Sequence, residues 1–294
     1  MLCFLENDLS IQLERFIVFS TTIPLWEKGQ YVPQGNADFM PTLATYVLDS
    51  TKKRPAVLIC PGGGYGFTSP REAEPVALQY VAAGFHVFVV YYSVTPARHP
   101  QPLRDVSRAM NIIRAHADDW HIEEQSIAVC GFSAGGHLAA SLGVFWDQSY
   151  CSDIPGLKRG QNRPDALILC YPVISSGPFA HRGSFENLLG PTAVPEDLQA
   201  MSLEHHINAQ TPPTFLWHTV ADSAVPVENS LLFAQGLRAQ HIPFEIHIYP
   251  HGAHGLSLAT AETDDGTGQD AHISGWHRLS TEWLWQIFTP VRRA

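Results

Sequence analysis

The chain has 294 residues, 45% hydrophobic and 16% charged, which fits one large α/β domain with or without a small inserted cap. Its formal net charge is −10, so its surface is expected to repel nucleic acid and anionic membranes. The same charge is compatible with a small, neutral, polar substrate.

The hydrophobic pattern divides the chain near residue 55. Residues 1–50 resemble an N-terminal β region, in which 42–47 alternate partly. Continuous apolar runs, which are typical of buried parallel strands, then alternate with helical spacing. The pattern predicts strands at 56–60, 85–92, 126–130, 166–170, 214–218 and 244–249, and helices at 72–83, 102–116, 227–240 and 276–288, with one more helix from 136.

This alternation predicts an α/β fold with a mostly parallel central sheet and helices on both faces, in a single domain over 1–294. Ligands of such sheets bind at the carboxyl ends of the strands. Residues 172–212 interrupt the rhythm, because they are rich in Pro, Ser and Gly and show only a short helical stretch near 196–203. They fit a small cap or lid over the site, and equally a long surface loop.

The cysteines favour a reducing compartment. There are five, an odd number without CxxC spacing, and Cys60, Cys130 and Cys170 end apolar runs as buried free thiols would. The segment 1–8 lacks the basic region of a signal peptide, and no apolar stretch reaches the length of a transmembrane helix. We therefore expect a cytoplasmic protein that is not bound to a membrane.

One serine lies on a predicted strand-to-helix turn, in the segment Gly131-Phe132-Ser133-Ala134-Gly135. This arrangement is typical of a nucleophile elbow, where close passage of strand and helix leaves no room for Cβ atoms beside the serine. The five letters alone also fit a glycine-rich turn with an ordinary serine. The apolar strand before it and the small-residue helix after it favour the nucleophile, so the pattern predicts a serine hydrolase.

A serine nucleophile needs a base and a group that orients the base. His251 and His254 follow the last core strand, from which a loop can reach the elbow. We prefer His254, because small residues flank it and it lies further into the loop. Two histidines three positions apart also fit a metal site, but no cluster with metal-ligand spacing accompanies them, so no metal is expected.

The orienting acid is expected after the preceding strand, where Asp222 is the only carboxylate of the turn. Asp222 could instead cap the next helix, but Val225-Pro226 separates it from the helix start near Val227. The order Ser133, Asp222, His254 is the order of α/β-hydrolase triads.

The negative charge of the transition state needs N–H donors. Ala134, directly after the serine, offers one donor, and the glycine-rich loop Pro61-Gly62-Gly63-Gly64-Tyr65 offers another from Gly63 or Gly64. A phosphate-binding loop is the alternative for these glycines. The loop lacks the Walker lysine and the dinucleotide spacing, which favours an oxyanion hole.

Five segments together resemble the acetylxylan-esterase-like α/β-hydrolases, a group close to the lipases and esterases with an HGGG loop. They are Pro61-Gly62-Gly63-Gly64-Tyr65, Arg71-Glu72, Gly131-Phe132-Ser133-Ala134-Gly135-Gly136-His137, Asp222-x-x-Val225-Pro226 and His251-Gly252-Ala253-His254-Gly255. The resemblance covers about 24–258. It implies a cofactor-independent esterase that releases acetyl or other small acyl groups, often from sugars.

The chain departs from these relatives at two positions. Pro61 stands where the lipases carry histidine, which disfavours steroid or lipid substrates but keeps the backbone donors. Ala221 stands where relatives often carry a second aspartate, and Asp222 keeps the position of the acid.

Other candidate residues follow from their place beside these motifs. Tyr65 and Arg71 are expected to line or support the pocket, with a purely structural role equally open for Arg71. Tyr171 follows a strand next to the elbow and is predicted to contact substrate. We interpret His137 as a packed helix residue, and Trp217 and His218 as core residues.

The residues together predict a serine carboxylesterase acting on a small ester, such as an acetylated xylo-oligosaccharide. A peptidase of this fold usually carries a large extra domain, and a lipase for long acyl chains is disfavoured by the absence of an obvious apolar lid. A non-catalytic binding protein would not need all three triad roles filled. The sequence leaves open the alcohol, the acyl-length limit and whether the chain forms a homo-oligomer.

Overall fold

An eight-stranded sheet forms the centre of the computed structural model, which describes residues 17–35 and 39–289. The strand order is β1-β2-β4-β3-β5-β6-β7-β8, and the first two pairings, β1 with β2 and β2 with β4, are antiparallel. All the other neighbours are parallel. The strands are β1 Val18–Pro24, β2 Thr42–Leu48, β3 Arg54–Cys60, β4 His86–Tyr91, β5 Ile122–Phe132, β6 Ala166–Cys170, β7 Thr214–Thr219 and β8 Phe244–Tyr249.

Helices cover the sheet on both faces, which confirms the predicted α/β-hydrolase architecture. They are α1 Glu74–Ala82, α2 Gln101–Ala115, α3 Ala134–Phe145, α4 Ser149–Ser152, α5 Arg182–Leu189, α6 Pro195–Ala200, α7 Glu228–Ala239 and α8 Trp276–Phe288. Apolar residues of α2, α3 and α7 pack in one core cluster, and those of α1 and α8 pack in the other. Alternate residues of the central strands enter the two clusters, so Leu58 faces one layer and Ile59 the other.

The buried thiols lie where the sequence predicts them. Cys60, Cys130 and Cys170 are fully buried at the central strands and form no disulfide. Cys151 at α4 is likewise buried and free. Residues 1–16, Cys3 among them, lie outside the described residues. Among the described helices, none is both long and apolar enough to cross a membrane.

The structure differs from the prediction around the first helix and in the interrupting segment. A 3₁₀ turn, Pro70–Glu72, precedes α1, so the α-helix begins two residues later than predicted and the Glu72 side chain turns into the core. Residues 172–212 contain two helices, α5 and α6, rather than one. The α5 helix buries Phe185 and Leu188, so tertiary packing stabilises a helix that the local composition did not indicate.

Candidate active site

Ser133 lies on the sharp turn between β5 and α3 with φ 53° and ψ −119°, a conformation that side chains rarely adopt. Backbone hydrogen bonds hold the turn there. The Ser133 N–H donates to the carbonyl of Cys170 at 3.0 Å, and its own carbonyl accepts from Val173 and His137. The neighbouring strand and the start of α3 therefore fix the position of Ser133.

The glycines beside Ser133 are required by close backbone contacts. A Cβ on Gly131 would lie 2.2 Å from the carbonyl oxygen of Gly135, and one on Gly135 would lie 2.1 Å from that of Cys60. These separations are far below van der Waals contact. The structure therefore leaves no room for side chains at Gly131 and Gly135, as the sequence predicts.

The side chains of Ser133, His254 and Asp222 form a continuous hydrogen-bonded line. Ser133 Oγ lies 2.8 Å from His254 Nε2, and His254 Nδ1 lies 2.7 Å from Asp222 Oδ2. The partners assign the tautomer, because Nδ1–H donates to the carboxylate and leaves Nε2 free to accept the serine proton. His251, the alternative base, has an exposed position.

Asp222 is buried and its carboxylate is satisfied on both oxygens. Oδ1 accepts the backbone N–H groups of Ala224 and Val225, so the residue caps its own loop and not α7, which begins at Glu228. Burial acts to raise the pKa of Asp222, but the hydrogen bonds from His218 and His254 outweigh it and hold that pKa below its usual value. Asp222 is therefore ionised at neutral pH.

The glycine-rich loop after β3 lies beside the serine. Gly63 has φ +125° and Gly64 φ +62°, so both use a backbone region that favours glycine. Within the described residues, the N–H groups of Gly63, Gly64 and Ala134 have no acceptor, whereas the Gly62 N–H donates to Glu72. All three predicted donors thus remain available.

Tyr65, the last residue of this loop, anchors it to the protein interior. Its ring is buried, and its hydroxyl donates to Nδ1 of His137 at 2.8 Å, while His137 Nε2–H donates to the carbonyl of Met201. Burial lowers the pKa of His137 to about 4, so the ring is neutral at pH 7. His137 is therefore a packed helix residue, as the sequence indicates, and the contacts of Tyr65 fit the supporting alternative.

Arg71 and Tyr171 also have their polar atoms occupied by the protein. Arg71 donates to the carbonyls of Gly255 and Thr263 and pairs with Asp265 at 3.0 Å, so it holds the segment that follows His254. The Tyr171 side chain is buried, and its hydroxyl donates to Glu72 at 2.6 Å. These contacts favour support of the site over the direct substrate contact predicted for Tyr171.

The interrupting segment 172–212 touches the glycine-rich loop through α5. Asn187 Nδ2 donates to the carbonyl of Gly64 at 2.9 Å, and Ser184 Oγ would lie 3.8 Å from a Cβ on that glycine. His181, directly before α5, is half-buried and its Nδ1 lies 2.8 Å from Ser184 Oγ. The segment thus contacts the glycine-rich loop through Gly64.

Sequence reasoning missed two residues of the site. The sequence identifies Glu72 only as part of the Arg71-Glu72 segment and predicts His218 as a core residue. Glu72 contacts the glycine-rich loop, and His218 contacts Asp222. A signal for Glu72 exists only in hindsight, as the carboxylate at the first position of the helix predicted over 72–83.

Comparison with known proteins gives matches that extend over most of the chain. The family model BD-FAE matches residues 45–237. Among curated proteins, the chain is 38% identical to endo-1,4-beta-xylanase B of Butyrivibrio fibrisolvens over 86% of this chain and 39% of the relative. It is 30% identical to an acetylxylan esterase of Xylanibacter ruminicola over 70% of this chain and 42% of that protein. The chain thus spans about two fifths of the length of these relatives.

Solved structures match over nearly their full length. The acetyl ester-xyloside bifunctional hydrolase from Caldicellulosiruptor lactoaceticus is 41% identical with a TM-score of 0.82, covering 91% of this chain and 96% of that one. The α/β-hydrolase enzyme MGS-M1 from a deep-sea metagenome library is 33% identical with a TM-score of 0.71, covering 92% and 98%.

Proposed function

The chain belongs to the BD-FAE family of α/β-hydrolases, and from that premise we propose that it is a serine carboxylesterase that removes short acyl groups, acetyl first among them, from sugar hydroxyls. One observation carries the proposal: the line from Ser133 Oγ through His254 to Asp222, with hydrogen bonds of 2.8 and 2.7 Å. A binding protein on this scaffold would have no need to keep a serine, a base and an acid in hydrogen-bonded register.

In the proposed reaction, Ser133 Oγ attacks the ester carbonyl while His254 Nε2 takes the serine proton. The imidazolium then protonates the leaving alcohol, and an acyl-enzyme remains. Water attacks this intermediate with His254 again as the base, and the acid product leaves. Asp222 keeps the Nδ1–H tautomer and stabilises the imidazolium without accepting the proton.

The oxyanion of the tetrahedral intermediate would be bound by backbone N–H groups. Ala134 supplies one, and Gly63 or Gly64 supplies another, since these amides have no acceptor within the described residues. The side chains that support the loop, Tyr65 and Tyr92, are buried, and Tyr92 donates to the Pro61 carbonyl at 2.6 Å. Donors held this rigidly need no reorganisation when charge develops.

The substrate class rests on the relatives. An acetylxylan esterase and an acetyl ester-xyloside hydrolase are among the proteins that the chain resembles. The net charge of −10 suits a neutral acetylated xylo-oligosaccharide better than an acidic polymer. We propose in addition that residues 172–212 act as a small cap, because α5 already contacts Gly64.

The test is acetate release from acetylated xylo-oligosaccharides, with p-nitrophenyl acetate as a general ester and Ser133→Ala as the matched control. Release by the wild type and not by the variant supports both mechanism and substrate class. Cleavage of the nitrophenyl ester alone keeps the mechanism and rejects the sugar. If neither ester is cleaved and a fluorophosphonate probe fails to label Ser133, the esterase proposal is wrong.

A further inference from the structure

A buried carboxylate that the proposed reaction does not use lies directly behind the glycine-rich loop. Glu72 ends the 3₁₀ turn before α1 and is 3% exposed. A buried carboxylate is unfavourable unless donors surround it. Glu72 has two such donors, one in the glycine-rich loop and one, Tyr171, that contacts the loop of His254.

Each oxygen of Glu72 accepts a hydrogen bond from a different loop. Oε2 accepts the Gly62 N–H at 2.7 Å, in the loop after β3, and Oε1 accepts the Tyr171 hydroxyl at 2.6 Å, in the loop after β6. The Tyr171 oxygen in turn accepts the N–H of Ser257 at 2.9 Å, three residues beyond His254. One carboxylate therefore connects the oxyanion loop to the loop of the base.

The same carboxylate lies close to the serine. A Cβ on Gly62 would be 2.6 Å from Glu72 Oε2 and 3.1 Å from Ser133 Cβ, so the two residues flank one backbone position. The Tyr171 ring meets the His254 ring edge to face, with centroids 5.1 Å apart. Glu72 is thus one residue removed from both the nucleophile and the base.

The hydrogen-bond donors around Glu72 oppose the effect of burial on its carboxylate. Burial raises the pKa of Glu72, while the hydrogen bonds from Tyr171 and Gly62 and the nearby His254 and Arg71 oppose that rise. Both of its described partners donate. A negative charge here lowers the energy of a positive charge on His254, which is the charge that develops when the imidazole takes the serine proton.

We propose that Glu72 is a positioning residue: its carboxylate holds the oxyanion loop through Gly62 and the His254 loop through Tyr171, and its charge favours the imidazolium. The proposal rests on the proposed esterase function. The other titratable or charged groups that face His254 are Asp222 on the loop after β7, Tyr171 after β6, His181 before α5 and Arg71 next to Glu72.

The experiment compares two variants on p-nitrophenyl acetate across pH. Glu72→Gln keeps the shape and removes the charge, while Tyr171→Phe keeps the charge and breaks the link to the His254 loop. We expect kcat to fall at least tenfold in both, with KM nearly unchanged. Only in E72Q should the acidic limb of kcat/KM move to lower pH, by about half a unit or more, because the imidazolium loses a neighbouring anion.

A merely structural role predicts a different result, namely equal losses of kcat with both acidic limbs in the wild-type position, and that result overturns the proposal. Glu72→Asp is the charge-conserving control and should keep the wild-type limb. If circular dichroism shows that E72Q does not fold, Y171F decides: a wild-type kcat overturns the proposal, and a loss of kcat with KM and thermal stability both unchanged supports it.

The two proposals fail in distinguishable ways. A wild-type protein that neither cleaves the ester nor reacts with a fluorophosphonate contradicts the esterase function. An active wild type whose E72Q variant has the same kcat and pH profile contradicts only the role of Glu72.

Discussion

The Nε2 atom of His218 lies 3.4 Å from Oδ2 of Asp222, so the buried acid faces a second histidine besides His254. His218 is fully buried at the end of β7, as the apolar run predicts. Its Nδ1 accepts from the Ser230 hydroxyl at 2.8 Å, which places the proton on Nε2, and Nε2–H also lies 2.9 Å from the Val225 carbonyl. The ring therefore fixes both the acid and the backbone of its loop.

Replacing His218 by Phe should lower kcat on p-nitrophenyl acetate by roughly tenfold, since a hydrogen bond to a buried charged group is worth about 1.5–3 kcal/mol. The matched control is Ser230→Ala, which removes the Ser230 hydrogen bond without touching Asp222. Steady-state kinetics and urea unfolding on both variants separate activity from stability. Equal kcat values in the two variants would show that His218 acts on the fold alone.

The backbone strain at Ser133 predicts that Ser133→Gly is more stable than Ser133→Ala. Both lack the hydroxyl and should be inactive, but only glycine adopts φ 53° and ψ −119° without steric conflict. Strain at such positions is on the order of 1–3 kcal/mol, and the flexibility of glycine in the unfolded chain offsets part of it. Urea unfolding should show a gain of about 1 kcal/mol, and a glycine variant no more stable than the alanine variant would contradict this view of the elbow.

Replacement by alanine should destabilise the protein strongly at one glycine of α3 and hardly at all at another. Gly135→Ala places a methyl group 2.1 Å from the Cys60 carbonyl oxygen and 2.4 Å from that of Pro61, neither of which can move without shifting the strand end. Gly143→Ala meets only the far end of the Leu167 side chain, at 2.7 Å. Alanine also favours the helix by about 1 kcal/mol over glycine.

We therefore expect G135A to lose more than about 3 kcal/mol, or to fail to fold, and G143A to stay within about 1 kcal/mol of the wild type. Thermal and urea unfolding monitored by circular dichroism measure both. Comparable losses in the two variants would mean that helix crowding in general, and not the contact with the strand end, requires glycine at 135.

The sequence predicted the fold and the Ser133, Asp222 and His254 alignment because both depend on chain order. Each of the three residues follows its own strand, and the carboxyl ends of parallel strands meet at one edge of the sheet. The exact limits of β6, β7 and β8 differ from the prediction by at most one residue for the same reason, since buried strands are continuous apolar runs.

The sequence did not predict what tertiary contacts decide. The α5 helix forms because it packs against the loops and the core. A 3₁₀ turn directs the Glu72 side chain inward, and a polar residue at a helix start does not predict such a turn. Tyr171 lies in the predicted place after β6, but the direction of its hydroxyl, toward Glu72, depends on a residue 99 positions away in the chain. Side-chain partners at such separations leave no local pattern.

His277 should make the protein less stable in mild acid. Burial lowers the pKa of this histidine to about 4, against about 6.5 in an unfolded chain. Within the described residues its Nε2 is buried without a hydrogen-bond partner, and its ring packs against Tyr80 with centroids 4.4 Å apart. As the pH falls below 6.5, the unfolded chain takes up a proton that the folded chain does not, so the free energy of unfolding falls from pH 6.5 toward pH 4.

His277→Phe tests this effect, because phenylalanine keeps an aromatic ring against Tyr80 and removes the titrating nitrogen. At pH 7.5 we expect the variant to be as stable as the wild type or slightly more so. At pH 5 it should be more stable by up to about 2 kcal/mol, which is the linkage expected for one histidine with these two pKa values. Urea unfolding at the two pH values measures the difference between the proteins, in which the other buried histidines cancel. A difference that is the same at both pH values would show that His277 does not titrate on unfolding.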